Sequence, residues 1–185
     1  MNTPPNDLQD AIEEVLEALR GLEEFPRYSE VVPKAGKPAT PKMLQAMETR
    51  IGLPLPPSYR QFLSMHNGYA WLAYPGHMLS VQDLSPGGRY WDYIKEWKLE
   101  TAEAGYGDIL DGVVIAYMDQ PNNWAYLDPN QIAANGEWAV VFHVPGIDPS
   151  EYPNIPAFLR ACAANARLSR EWTLQRPDKG GNPSV

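Results

Sequence analysis

Residues 40–68 read TPKMLQAMETRIGLPLPPSYRQFLSMHNG and carry the strongest local structural signals in the chain. Thr40 is a typical N-cap, and Pro41 fits the first position of a helix. Gly52 fits a left-handed turn that ends this helix, because glycine has no Cβ to clash there. A second helix is predicted from the following Pro-Pro pair to the closing Asn-Gly, which is a strong stop signal.

The order helix, Gly, Leu-Pro-x-Pro, helix and Asn-Gly resembles the signature of the SMI1/KNR4 family, also called the SUKH superfamily. The residues that carry this resemblance are Ile51, Gly52, Leu55, Pro56, Tyr59, Phe62, Leu63, Asn67 and Gly68. It extends more loosely to about Leu168. The resemblance implies a single-domain α+β protein without known enzymatic activity. It also implies a binding role, since many bacterial members are immunity proteins that neutralise a toxin by binding it.

The composition is typical of a soluble globular domain. The chain has 185 residues, of which 44% are apolar and 21% charged, which is enough for one core and short for two. A single cysteine excludes an internal disulfide. The N-terminus lacks the basic start and apolar run of a signal peptide, and no apolar run approaches the roughly 18 residues that span a bilayer. We therefore expect a cytoplasmic protein with no membrane partner.

The chain is acidic, with 15 Lys and Arg against 23 Asp and Glu and a net charge of −8. Such a balance repels phosphate backbones, which argues against nucleic-acid binding. It favours encounter with basic partners. Nuclease toxins are basic partners of this kind, because they must themselves hold nucleic acid.

Three segments are predicted along the chain. Residues 1–39 hold an amphipathic helix over Asp7–Leu22 and an extended connector over Phe25–Ala39, which carries three prolines. Residues 40–176 form the SMI1/KNR4-like domain, and residues 177–185 form a flexible tail. The apolar face of the first helix is formed by Leu8, Ala11, Ile12, Val15, Leu16 and Leu19.

The middle of the chain alternates short apolar runs with turn residues, which predicts strands. The predicted strands are Tyr69–Tyr74, His77–Leu84, Val113–Met118, Trp124–Leu127 and Glu137–Val144. Asp128-Pro-Asn is expected to begin a loop. Helices are predicted over Tyr90–Ala104 and after Asn154, the second with an apolar face from Ile155 to Ala166. Short turns between strands favour antiparallel pairing. The predicted fold is therefore α+β, a small, mainly antiparallel sheet flanked by helices.

No residue pattern indicates catalysis or a cofactor. His66, His77 and His143 lie far apart, without a second ligand at metal-site spacing. His66 is expected to pack or cap the second helix. Cys162 lies on the apolar face of the last helix, where we expect a small buried hydrophobe and not a nucleophile. No nucleophile elbow, phosphate-binding loop or dinucleotide fingerprint occurs, so we expect no enzyme, metal or cofactor.

Acidic residues recur along one side of the predicted helix Tyr90–Ala104. Asp92, Glu96, Glu100 and Glu103 follow at four, four and three residues, and the next loop adds Asp108 and Asp111. Lys95 and Lys98 can offset part of the repulsion between these acids. One interpretation is a solvated helix face. The other is a docking surface for a basic protein, where charge raises the association rate and fixes register.

Aromatic residues are the second surface candidate. Seven Tyr and Trp residues fall between residues 67 and 98, and those at the surface can anchor an interface. The predicted contact residues are Asp92, Glu96, Glu100, Asp108, Asp111 and Asp119, with Trp71 and Trp91 as anchors.

The favoured hypothesis is an immunity protein that occludes a cognate toxin by stoichiometric binding, as the resemblance implies. The alternatives are a regulatory or scaffold protein, as in fungal members associated with cell-wall signalling, and an enzyme with an unrecognised pocket. Whether the chain is a monomer or a weak dimer is left open.

Overall fold

The computed structural model describes residues 7–118 and 123–175. The helices of this part of the chain are α1 (Asp7–Arg20), α2 (Pro41–Ile51), α3 (Pro57–Met65), α4 (Trp91–Glu103) and α5 (Ile155–Gln175). Its strands are β1 (Lys34–Ala35), β2 (Tyr69–Ala73), β3 (Gly76–Met78), β4 (Val113–Met118), β5 (Trp124–Ile132), β6 (Trp138–Val144) and β7 (Ile147–Tyr152). Two 3₁₀ turns lie at Pro26–Tyr28 and Gly107–Leu110.

The helical pair predicted from residues 40–68 is confirmed. The Thr40 side chain accepts a hydrogen bond from the Met43 amide at 3.3 Å, which caps the start of α2. Gly52 ends that helix with φ of 78°, the left-handed conformation that suits glycine. On α3, the three apolar residues of the signature are buried: Tyr59, Phe62 and Leu63.

All described strands belong to one sheet whose order in space follows the sequence, from β1 to β7. Every neighbouring pair is antiparallel. The predicted α+β class with an antiparallel sheet is therefore confirmed, in a single domain. The strongest strand prediction, Val113–Met118, matches β4 residue for residue.

Two predicted strand boundaries are wrong. The strand expected over His77–Leu84 ends at Met78. The carboxylate of Asp83 accepts a hydrogen bond from the Ser80 amide at 2.9 Å, which holds the residues after Met78 in a turn. The loop expected at Asp128-Pro-Asn is instead strand, since β5 runs on to Ile132. The pairing with β6 shifts register between Asp128 and Ile132, and such an irregularity accommodates Pro129 within a strand.

Two strands of the sheet, β1 and β7, do not follow from the sequence pattern. The connector Phe25–Ala39 contributes the two-residue edge strand β1 as well as a 3₁₀ turn, so it is not uniformly extended. At the other edge, β7 has the sequence IDPSEY, which lacks the alternating apolar pattern of a strand. It is largely exposed and is held by pairing with β6. Polar and proline residues are common on such edge strands.

The predicted N-terminal helix is confirmed as α1, which packs along α5. Its apolar face is buried except for the half-buried Leu16, and the face of α5 from Ile155 to Ala166 is buried too. The predicted cap of α5 is confirmed, because Asn154 Oδ1 accepts from the Ala157 amide at 3.0 Å. The predicted tail, residues 177–185, lies outside the described residues. No described helix has the length and apolar character that a bilayer span requires.

Candidate protein-binding surface

The helix α4 presents one buried side and one charged side. Ile94, Trp97 and Thr101 are buried. The Trp97 ring lies 5.4 Å from the ring of Trp124, a fully buried residue at the start of β5. Aromatic packing of this kind fixes the orientation of the helix on the sheet. The opposite side of α4 is therefore presented on a rigid support.

We define the acidic face as Asp92, Glu96, Glu100 and Glu103, which are all exposed on α4. The Asp92 side chain is 90% exposed and lies 3.2 Å from Lys95, which is itself exposed. Such a solvated pair contributes little stability. Among the residues that the structure describes, the three glutamates form no ion pair. The acidic face therefore retains most of its negative charge.

Among the described residues, Lys98 forms no ion pair with the acidic face, and the offset expected from sequence stays a prediction. The Lys98 ammonium donates to the carbonyl oxygen of Leu110 at 2.9 Å and to that of Gly112. Burial lowers the pKa of Lys98, and the nearby Asp111 carboxylate acts in the opposite direction. Lys98 thus ties the second 3₁₀ turn to α4 and brings the exposed Asp111 close to that helix.

The remaining predicted acids are Asp108 and Asp119. Asp108 lies in the 3₁₀ turn Gly107–Leu110, and its backbone is therefore next to the segment that Lys98 holds. Asp119 lies outside the described residues. Five of the six acids thus belong to α4 and the turn that follows it, where the structure brings their backbone positions together.

The two predicted tryptophan anchors are in different settings. Trp91 is half-buried at the start of α4, with the Arg50 and Lys95 cations 5.9 and 5.7 Å from its ring. It therefore adjoins the acidic face. Trp71 lies on β2, where its amide donates to His77 Nδ1 at 3.0 Å and its ring packs 4.8 Å from the imidazole. Trp71 also has a positive φ of 64°, which is rare for a residue with a side chain.

Both ends of α3 are held by contacts that the sequence pattern did not reveal. Asn67 Oδ1 accepts from the Val81 amide at 2.8 Å, and its Nδ2 donates to Gln82 at 2.6 Å. The Asn-Gly pair therefore joins the end of α3 to the turn after β3. At the other end of α3, the buried carboxylate of Glu137 accepts from the Ser58 amide and hydroxyl at 3.0 and 2.6 Å.

A cleft of about 420 Å³ lies beside this junction, and sequence reasoning missed it. Its lining combines the N-terminal segment, the Asn-Gly junction, β3 with the following turn, and the residues just before α4. The charged and titratable residues of the cleft are Lys34, Tyr69, His77, Asp83, Arg89 and Tyr90. They come from four separate segments of the chain, so no local sequence motif predicts the cleft.

Three groups that could carry chemistry are either buried or packed against aromatic rings. Cys162 is buried, and burial raises the pKa of its thiol, which disfavours the thiolate. Tyr59 is likewise buried, and burial raises the pKa of its phenol. His66 lies at the end of α3 and packs between Phe62 and Tyr69, as its predicted packing role requires. Within the described ranges, no three His, Cys, Asp or Glu side chains converge as metal ligands would.

A sequence profile of the SMI1 / KNR4 family (SUKH-1) matches residues 38–160, about two thirds of the chain. This protein belongs to the SMI1/KNR4 family. The match includes α2 to β7 and the start of α5, and it leaves α1 and β1 outside. No curated protein sequence matches the chain. Family membership is consistent with a role as an immunity protein and with binding to protein partners.

Proposed function

We propose that this member of the SMI1/KNR4 family is an immunity protein that neutralises a cognate toxin by stoichiometric binding. The toxin presents a basic surface, as a nuclease domain must, and the acidic face on α4 covers it. No bond is made or broken. The inhibitor acts by occupying the toxin's active site or substrate groove.

The acidic face is the observation that carries this proposal. Its three glutamates are solvated and unpaired among the described residues, on a helix whose other side is fixed by Trp97 and Trp124. The helical backbone that carries these acids is already ordered, so only their side chains lose conformational entropy on binding. It also attracts a basic partner at long range, which raises the rate of association.

Aromatic residues at the edge of the acidic face supply the apolar part of the proposed interface. Tyr93 is 45% exposed on α4, and Trp91 is half-buried in the first turn of the same helix. Aromatic anchors surrounded by charge are typical of binding hot spots. Trp71 on β2 is proposed as a further anchor, and Asp108, Asp111 and Asp119 as additional acidic contacts.

The gene neighbourhood and a protection assay test the proposal together. A gene for a large secreted protein with a C-terminal toxin domain is expected beside the gene for this protein. Co-expression should then protect cells from that toxin domain, and the purified proteins should form an equimolar complex. A toxin that remains lethal during co-expression would contradict the proposal. Capture of a housekeeping protein, with no toxin gene nearby, would instead support the regulatory or scaffold role.

A further inference from the structure

The cleft of about 420 Å³ has a preformed shape. Its lining includes Gly36 and Gly68, where the chain passes very close to neighbouring atoms. A Cβ at Gly36 would lie 2.2 Å from the Asn67 carbonyl oxygen, and one at Gly68 would lie 3.1 Å from the Ser80 amide nitrogen. Side chains at these positions would push the walls apart. The volume is within the range of about 300–1,000 Å³ that is usual for ligand sites.

The cleft has a local positive charge, although the whole chain carries −8. Lys34 and Arg89 are both exposed at the cleft, and neither forms an ion pair with any described residue. The Arg89 guanidinium lies 5.1 Å from the centre of the Tyr90 ring. The facing carboxylate, Asp83, is already engaged, because one of its oxygens accepts from the Ser80 amide and from the Ser80 hydroxyl at 2.9 and 2.6 Å.

We propose that this cleft binds an acidic segment of the protein partner, with Lys34 and Arg89 pairing with its carboxylates. The inference rests on the proposed function to the extent that the ligand is a protein. One or two carboxylates suffice to match two cations. A nucleic acid fits less well, because the rest of the chain, with a net charge of −8, repels a long polyanion.

The position of the cleft relative to α4 adds a specificity argument. Arg89 and Tyr90 line the cleft and directly precede Trp91, the first residue of α4. The cationic cleft and the acidic face are therefore neighbouring surfaces of opposite sign. A partner that binds both needs a basic surface next to an acidic segment. A partner whose surface carries only one sign of charge would be repelled by one of these two surfaces, and this repulsion adds to specificity.

Lys34 lies on β1, outside the residues that match the family profile. β1 pairs with β2 through Lys34 opposite Ala70 and Ala35 opposite Tyr69. Lys34, one of the two cations of the cleft, therefore belongs to the segment that precedes the family match. We infer that this segment contributes to the choice of partner as well as to the edge of the sheet.

Amide chemical shifts of the full-length, ¹⁵N-labelled protein test this site with defined probes. Hexaglutamate should shift the amides of Gly36, Gly68 and Ser80 in a saturable manner. The double variant Lys34→Glu/Arg89→Glu should weaken this binding by about tenfold or more, because attraction becomes repulsion at both positions. The milder Lys34→Gln/Arg89→Gln gives a second test if charge reversal perturbs the fold.

The matched control is Lys42→Glu/Arg20→Glu, which makes the same charge change at two exposed positions outside the cleft. It should leave the affinity for hexaglutamate within about twofold of wild type, since distant exposed charges are screened. Equal weakening in both double variants, or no saturable shift in the wild-type cleft, would overturn the inference. A stronger response of the same amides to inorganic phosphate would also overturn it, in favour of a phosphate site.

A second probe separates this inference from the proposed function. Hexalysine should shift amides along α4 and leave Gly36 and Gly68 unaffected. If only the hexalysine response is missing, the acidic face fails and the cleft stands. If only the hexaglutamate response is missing, the cleft fails and the acidic face stands.

Discussion

Two helices of this protein carry rows of acidic residues, and the fold pairs the acids of the two rows to different extents. On α1, Asp7 and Glu14 are both bound by Arg160 of α5. Just beyond α1, Glu24 is bound by Arg170 at 2.7 Å. On α4, by contrast, Glu96 and its neighbours meet no cation of the described chain except Lys95, which pairs with Asp92.

The difference shows why the number and spacing of acids do not identify a binding surface. Both helices are amphipathic and acidic in sequence, and both bury their apolar sides. The arginines that pair with Asp7 and Glu24 lie about 150 residues further along the chain, where only the folded structure reveals them. An acidic row that the fold leaves without such partners retains its potential for another molecule.

The largest contrast is expected from matched leucine truncations on the two helices. Leu19 on α1 is 1% exposed, whereas Leu99 on α4 is 60% exposed. Leu19→Ala should lower the free energy of unfolding by about 3 kcal/mol, because it leaves a cavity between α1 and the core. Leu99→Ala should change it by less than about 0.5 kcal/mol. Urea unfolding measures both, and similar losses would mean that α4 is not an outer surface.

Removing the Lys98 ammonium tests whether this lysine stabilises the 3₁₀ turn after α4, in contrast to Lys95, which pairs with the acidic face. Lys98→Met should lower the free energy of unfolding by about 1–2 kcal/mol, since the carbonyls of Leu110 and Gly112 lose their donor. Lys95→Met is the control and should be nearly neutral, because Lys95 pairs only at the surface. Equal effects in chemical denaturation would contradict the separate roles assigned to the two lysines.

Breaking the arginine contacts tests the opposite arrangement on α1. Arg160→Gln should destabilise the fold by about 1 kcal/mol, because Asp7 and Glu14 lose a shared, partly solvated partner. The effect should shrink at high salt. Arg20→Gln, at an exposed position of the same helix pair, should have little effect. If the two variants show the same stability in thermal unfolding, the ion pairs of Arg160 do not hold α1 against α5.

Neutralising the acidic face should have the smallest effect on stability. Glu96→Gln/Glu100→Gln should raise the free energy of unfolding by about 0.2–0.5 kcal/mol, because like charges one turn apart repel each other. The gain should disappear at high salt. A clear loss of stability in urea would instead mean that these glutamates have partners within the protein.

The sequence was most informative where local chemistry determines structure. Thr40, Gly52 and Asn154 cap helices through bonds to residues close by, so their roles follow from spacing alone. Continuous apolar runs such as Val113–Met118 likewise identify buried strands. The predicted division of the chain at residues 39 and 176 stays a prediction, although the family match begins at residue 38.

Features that depend on distant residues could not be predicted. β7 has no apolar alternation, because it lies at an edge and owes its conformation to β6. The capping of α3 by Glu137 joins residues 79 positions apart. The cleft arises only when Lys34, the Asn67-Gly68 pair and Arg89 are brought together. The acidic residues of the candidate surface were found from sequence, but the inward direction of Lys98 was not.

Calorimetric titration against the toxin domain encoded beside the gene for this protein tests the central claim most directly. The variant Asp92→Lys/Glu96→Lys/Glu100→Lys reverses the acidic face. The control Asp10→Lys/Glu17→Lys/Glu23→Lys makes the same charge change at exposed positions on and just after α1. The first variant should bind at least about tenfold more weakly, with a reduced salt dependence, while the control should stay close to wild type. Unchanged affinity in the α4 variant, or an equal loss in both, would contradict it.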